Sequence, residues 1–295
     1  MIYLIDASVY IFRAYYSMPP DMQDRDGNPV HAVFGFARFL SDLIERAKPE
    51  YIAVAFDESL ESSFRNRLYP PYKANREPAP PDLKWQFGAC REFADLIGTT
   101  ALSSNEYEAD DIIGTLVTRS RAAGWPSTVV TRDKDLAQLI RRGDIFWNYA
   151  DNLKLEHHQI AQHYGVEAER FADYLALTGD SVDNIKGVPG VGPKTAAALL
   201  TEFATLEEIY QNIDRVAALP IRGASKLGAK LLEHRDAAML ARELTRIVCD
   251  MPLVLGTEAI RRRAPLLPEI EQFCDRLGFG PMLRRQAERV AKIAS

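Results

Sequence analysis

Nine carboxylates stand out by where they fall along the chain. Asp6, Asp57 and Asp133 each lie just beyond a short β-branched or aromatic run, and Asp135 comes two residues after Asp133. Glu108, Asp110 and Asp111 open a helical stretch, while Asp180 and Asp183 sit three apart. Any one of them could be a helix cap or an acid favoured by a helix dipole. Together they pose an electrostatic problem: two carboxylates about 4 Å apart repel by about 4 kcal/mol at an effective dielectric of about 20. Gathering several at one edge requires counter-charge, and a hard divalent cation supplies it. An all-oxygen set points to Mg2+ or Mn2+, because zinc and copper sites recruit imidazole or thiolate. The five histidines, His31, His157, His158, His163 and His234, lie outside these groups. Two ions about 3.5–4 Å apart can activate a water and stabilise a leaving oxygen during in-line displacement, which is nuclease chemistry.

The net charge of −5 argues against a polyanionic partner only until its distribution is considered. Of the 41 acidic residues, setting aside the nine leaves 32 against 36 basic ones, a mildly basic remainder suited to phosphodiesters. Between Phe64 and Arg76, aromatic rings alternate with cations (Phe64, Arg65, Arg67, Tyr69, Tyr72, Lys73, Arg76), a pairing that stacks single-stranded bases while neutralising phosphates. Lys73 or Arg76 near the scissile phosphate would also stabilise charge developing in the transition state. Further on, Gly187, Gly190, Gly192, Pro193, Lys194 and Thr195 lead into a helix whose N-terminal N–H groups can face duplex phosphates without reading sequence. Pro193 separates Gly192 from Lys194, so this is not a Walker A loop.

These residues need a scaffold. Ile2–Ile5, Tyr51–Phe56 and Thr128–Thr131 read as strands followed by helical patterns, predicting an α/β fold with a central, mostly parallel sheet whose carboxyl edge collects the acids. Pro70, Pro71, Pro78, Pro80 and Pro81 mark a segment expected to project from the sheet. From about Phe171 the strand signals fade into a helical subdomain, and Glu269–Ile293 reads as one or two closing helices broken around Gly278–Pro281. The expected division is a core over 1–172 with an arch at 58–92, a duplex-binding unit over 173–255 and a C-terminal helical segment over 256–295. No apolar run approaches a membrane span, and the start lacks a secretory pattern, so a cytoplasmic protein with three reduced thiols is expected.

In order along the chain, Leu4-Ile5-Asp6-Ala7-Ser8, Ala55-Phe56-Asp57, Ser63-Phe64-Arg65 with Tyr72-Lys73 and Arg76, Tyr107-Glu108-Ala109-Asp110-Asp111, Thr131-Arg132-Asp133-Lys134-Asp135 and Leu177 through Asn184 are similar to the motifs of the flap endonuclease or 5′-nuclease family. The likeness is strongest to the bacterial branch that also forms the amino-terminal nuclease domain of DNA polymerase I. It implies cleavage of 5′ flaps, nicks and related junctions in DNA replication and repair, close to bacterial nucleoid DNA. It further implies a first metal site at Asp6, Asp57, Glu108, Asp110 and Asp111, with Asp133, Asp135, Asp180 and Asp183 completing a second. The arch residues Tyr72, Lys73 and Arg76 would guide the 5′ strand, Arg13 would touch phosphate, and the helix-three-turn-helix around 187–194 would grip duplex and hold K+. With no further domain after Ser295, the chain reads as a stand-alone enzyme and a monomer. The rival is a non-catalytic junction-binding protein, against which the retention of all nine acids argues. RNA at the 5′ end is equally compatible with stacking and phosphate contacts.

Overall fold

The computed structural model describes residues 1–58, 63–221 and 223–294; residues 59–62, near the start of the expected arch, lie outside it. Its centre is a six-stranded sheet of β1 (Ile2–Asp6), β2 (Tyr51–Asp57), β3 (Thr100–Ser104), β4 (Ser127–Val130), β5 (Ile145–Asn148) and β6 (Leu153–Glu156). The spatial order is β3-β2-β1-β4-β5-β6, all parallel except β6, which runs antiparallel to β5. β1 and β2 are apolar almost throughout because both faces are covered. Along β1 the side chains alternate: Ile2 and Leu4 enter one core with Ile112, Ile113 and Leu116, while Ile5 enters the other with Phe36, Phe93 and Phe273. The chain order reverses at β1, so the crevice outside the carboxyl ends of β1, β2 and β4 is where such a sheet binds ligand.

Three strands of this sheet escape the sequence reading. β3, Thr-Ala-Leu-Ser-Ser, lies half-exposed at the edge, and β6 alternates Leu-Lys-Leu-Glu with only Leu155 buried. β5 is only four residues long.

Helices α1 (Ala7–Ser17), α2 (His31–Ala47) and α4 (Pro81–Leu96) cover one face, α5 (Ala109–Ala122) the other, and the short α3 (Phe64–Leu68) leads into a turn over the carboxyl edge. The proline-rich segment joins no strand, but it does not simply project: α4 buries Leu83, Cys90, Phe93 and Ala94, so the second half of the stretch expected as an arch is core helix.

α6 (His157–Tyr164) and α7 (Phe171–Thr178) begin the helical half. A two-stranded hairpin, β7 (Gly179–Asp180) and β8 (Ile185–Lys186), precedes α8 (Pro193–Glu202), α9 (Leu206–Gln211), α10 (Ile213–Val216), α11 (Ala224–Glu233) and α12 (Arg235–Thr245). The chain then returns along the first half, where Arg262 N–H donates to Glu50 O and Arg263 N–H to Gly98 O, each at 2.8 Å. α13 (Leu267–Arg276) and α14 (Pro281–Ala294) follow, separated as expected around Gly278, and pack on α4 and α2. No described helix is long and apolar enough to cross a membrane, and Cys90, Cys249 and Cys274 are unpaired.

Candidate metal centre

The strand ends deliver the acids to one cavity of about 820 Å3, lined by Asp6, Asp57, Glu108, Asp110, Asp133, Asp135 and Asp183. Asp6 closes β1 and accepts a hydrogen bond from Thr131 Oγ1 at 2.9 Å. Asp57 closes β2 and accepts from Ser8 Oγ at 2.7 Å and from the Ala109 N–H at 2.9 Å. Asp133 caps a short 3-10 helix, accepting from the Asp135 N–H at 2.9 Å. Asp180 lies off the main cavity, in an adjoining one of about 390 Å3 that shares Arg76, Asp133, Asp135 and Asp183 with it. Lys134 reaches both Asp135 (3.7 Å) and Asp180 (3.8 Å).

The electrostatics of this edge are unbalanced. Burial, then the charges of Asp57 and Asp133, push the Asp6 carboxyl up to about 7. Burial and the neighbouring acids Asp133, Asp6, Asp57 and Glu108 raise Asp110 well above the ordinary carboxylate range. Asp135 shifts the same way through burial and Asp133, and its Oδ1 is buried without a hydrogen-bond partner. Among the described residues no three ligating side chains are already drawn into a coordination sphere. An all-oxygen wall with a buried carboxylate oxygen that accepts no hydrogen bond, and with mutual repulsion that Lys134, Lys73 and Arg76 offset only in part, fits hard divalent cations, whose arrival would offset the remainder.

Glu108 differs from its neighbours. Burial alone would raise it, but Lys73 and Arg65 outweigh that and hold it below the usual range. Lys73 Nζ lies 2.9 Å from Glu108 Oε2 and 4.0 Å from Asp183 Oδ2, and Arg76 pairs with Asp183. The two cations singled out in the sequence therefore hang over the acid edge, and both line the cavity. Tyr72 is different from the expected stacking surface: the residue is 3% exposed, and its one hydroxyl proton is shared between Glu108 (3.1 Å) and Asp183 (3.2 Å). It braces the acids in this state.

The assignments of Asp111 and Arg65 are also corrected. Asp111 is fully buried away from the cavity. Its oxygens accept from Arg65 Nη1 (2.7 Å) and Nη2 (2.8 Å), the Glu108 N–H (3.0 Å) and the Val248 N–H (2.8 Å), leaving nothing for a metal. Arg65, 3% exposed, is the other half of that pair and also donates to Leu244 O and Arg246 O, so it ties the two halves of the chain together and, where it lines the cavity, its guanidinium is already committed to protein acceptors. Phe64 packs on Tyr107 at 5.8 Å and under the Arg65 guanidinium. Arg13 is exposed on α1.

The glycine turn also divides by role. A Cβ on Gly187 would sit 2.3 Å from both Gly179 N and Thr178 C, so this position serves close backbone packing against the hairpin and not a phosphate. Gly190 takes φ +84°, the left-handed region. Gly192 caps α8 in extended backbone with open space around it, and Pro193 starts the helix. Lys194 is exposed and Thr195 half-buried, so Gly192, Lys194 and Thr195 frame the accessible α8 N-terminus.

Sequence reasoning passed over Ser8 and Thr131, the hydroxyls that orient Asp57 and Asp6. Each lies within two residues of a strand-end acid, which was the available signal.

A doubly wound sheet with an acid edge beneath a cationic turn is the architecture of a 5′-nuclease. The chain belongs to the 5′-3′ exonuclease family: residues 1–165 match its N-terminal resolvase-like domain and residues 166–266 its C-terminal SAM fold. It is 30% identical to a 5′-3′ exonuclease of Aquifex aeolicus over 100% of this chain and 97% of that one. It is 35% identical to DNA polymerase I of Rhizobium leguminosarum over 97% of this chain but only 28% of the polymerase. Among solved structures, bacteriophage T5 flap endonuclease in a pseudo-enzyme–product complex with DNA and metal ions superposes with a TM-score of 0.64 at 18% identity, covering 99% of this chain and 98% of that one. This last likeness is one of fold.

Proposed function

We propose that the chain is a structure-specific, divalent-metal-dependent 5′-nuclease, a flap endonuclease and 5′ to 3′ exonuclease hydrolysing phosphodiesters near the 5′ ends of branched or nicked DNA. The observation carrying this reading is the crowded carboxylate edge of Asp6, Asp57, Asp110, Asp133 and Asp135 facing one cavity with Lys73 and Arg76 above it. Asp6, Asp57, Glu108 and Asp110 would hold one Mg2+ or Mn2+, and Asp133, Asp135, Asp180 and Asp183 the other. Two bound ions supply an activated water and stabilise the leaving oxygen. Ser8 and Thr131 fix carboxylate orientation, while Lys73 and Arg76 provide positive charge where the phosphorane develops. Gly190, Gly192, Lys194 and Thr195 hold duplex phosphates as a sequence-blind anchor, the same reading places K+ at that turn, and Arg13 adds a phosphate contact from α1. The chain acts on DNA as a monomer, with RNA-containing 5′ ends as a second class of substrate.

A cleavage assay with Mg2+ on 5′-labelled flap, nicked, single-stranded and blunt substrates tests the proposal. Cleavage near 5′ ends of flaps and nicks, abolished by chelator, is expected. Tight flap binding with no cleavage under Mg2+ or Mn2+ would instead establish a junction-binding protein.

A further inference from the structure

Lys73 is a poor candidate for the backbone it adopts. Its φ is +56°, a region that L side chains other than Asn and Asp seldom occupy. Such a residue persists only where its surroundings over-determine it. Here they come from across the molecule. The Lys73 N–H donates to Asp183 O at 3.0 Å, Asn184 Nδ2 donates to Pro71 O at 2.7 Å, and Asn75 Nδ2 donates to Ser181 O at 2.9 Å. Asn184 is itself left-handed, at φ +57°, a conformation asparagine tolerates. The 71–76 turn is thus stitched to the 181–184 loop by two amide side chains and one main-chain bond, beside the contacts of Tyr72, Lys73 and Arg76 with Asp183 and of Arg76 Nε with Val182 O (3.4 Å). Through this tie Lys73 and Arg76 face Glu108 and Asp183.

We propose that Asn184 is a positioning residue for the two cations, holding the 71–76 turn at the acid edge so that Lys73 and Arg76 are set before the scissile phosphate arrives. This rests on the reading that those cations act on the reacting phosphate. The Asn184–Pro71 bond lies at the surface and Pro71 is exposed, so its carbonyl can turn to water when the amide is removed. The effect of losing it belongs in rate, not in stability.

Asn184→Gly keeps the left-handed backbone and deletes the amide, and Asn184→Asp keeps the shape but cannot donate to a carbonyl. Single-turnover cleavage of a flap substrate with saturating Mg2+ should fall on the order of tenfold to a hundredfold in both, the scale of a small misplacement of catalytic groups, with equilibrium binding and the unfolding midpoint near those of the parent. Asn75→Ala, which cuts the second tie, should move the rate in the same direction and stands in if the Asn184 variants do not fold. In a Lys73→Ala, Arg76→Ala background, Asn184→Gly should cause no further loss, because its effect passes through those side chains. An unchanged rate in the single variants, or a further loss of the same size in that background, overturns the positioning role. Should Lys73→Ala and Arg76→Ala themselves leave the rate intact, it is the catalytic reading of the cations that fails.

Discussion

Asp110 and Asp111 are adjacent in sequence and opposite in role, because successive helical side chains point about 100° apart. Asp110 enters the crowded cavity, whereas Asp111 turns inward and binds Arg65, 46 residues earlier in the chain. The two kinds of acid should separate cleanly on substitution. Asp111→Asn breaks a buried, bidentate pair and should cost about 3–5 kcal/mol in urea unfolding. Asp133→Asn and Asp183→Asn should instead abolish or severely slow Mg2+-dependent cleavage while leaving the fold and DNA binding in place. If both of these kept near-normal turnover, the second metal group would be misassigned. Lys73→Ala and Arg76→Ala should each lower the single-turnover rate on the order of a hundredfold or more, with a much smaller change in affinity. A pure affinity loss would make them a grip and nothing more.

At the level of elements, the α8 N-terminus is accessible and is the proposed duplex anchor, while Gly187 in the turn before it is packed tightly on the hairpin. Removing the Lys194 charge should flatten the slope of log affinity against log salt by about 0.9 on duplex-containing flaps and leave single strands unaffected. Gly187→Ala should act on stability, by about 1–3 kcal/mol, because the new Cβ meets backbone atoms of Gly179 and Thr178 that cannot step aside. Salt titrations and urea melts of the two variants check this division. Much of the arrangement was legible beforehand. Apolar runs ending in Asp6 and Asp57 announce a strand with an acid at its carboxyl end, and Pro193 announces a helix start. What was not legible depends on distant chain. Glu108 and Asp111 form a reciprocal cap on α5, but only the fold supplies the Arg65 guanidinium that removes Asp111 from the cavity. An interleaved aromatic and basic segment reads as exposed until the 181–184 loop is found against it, burying Tyr72.

For the whole molecule, the acid edge couples stability to pH and metal. Asp6 binds its proton up to about 7 in the folded chain against 3.8 ordinarily, with Asp110 and Asp135 raised too. Across that interval the folded state carries protons that the unfolded state has released, so stability is lost as pH rises. Glu108, held low, contributes oppositely only in more acid solution. Without metal, the protein should therefore melt lower at about pH 8 than at about pH 6. Added Mg2+ should raise the midpoint more at the higher pH, since ligation needs deprotonated carboxylates. Calorimetry with and without chelator measures both, and a metal-free midpoint that climbs over this range would contradict the crowded-acid account.

The helical half shares one apolar core with the sheet half, from Ile2 and Leu4 to Phe171 and Leu199, and polar ties hold it at both its entry and its exit. The chain leaves the sheet side through the 179–184 hairpin, which is tied to the 71–75 turn, and comes back at 244–248, where Leu244 O and Arg246 O are held by Arg65 and the Val248 N–H by Asp111. A body held by a common core and tied at both ends behaves as a caliper. With the proposed α8 anchor and the acid edge on one such body, the nuclease should cut at one narrow register from the junction on a flap of any length. Sizing products from flaps of graded length would read that register directly, with a ladder of ends showing that the jaws are free.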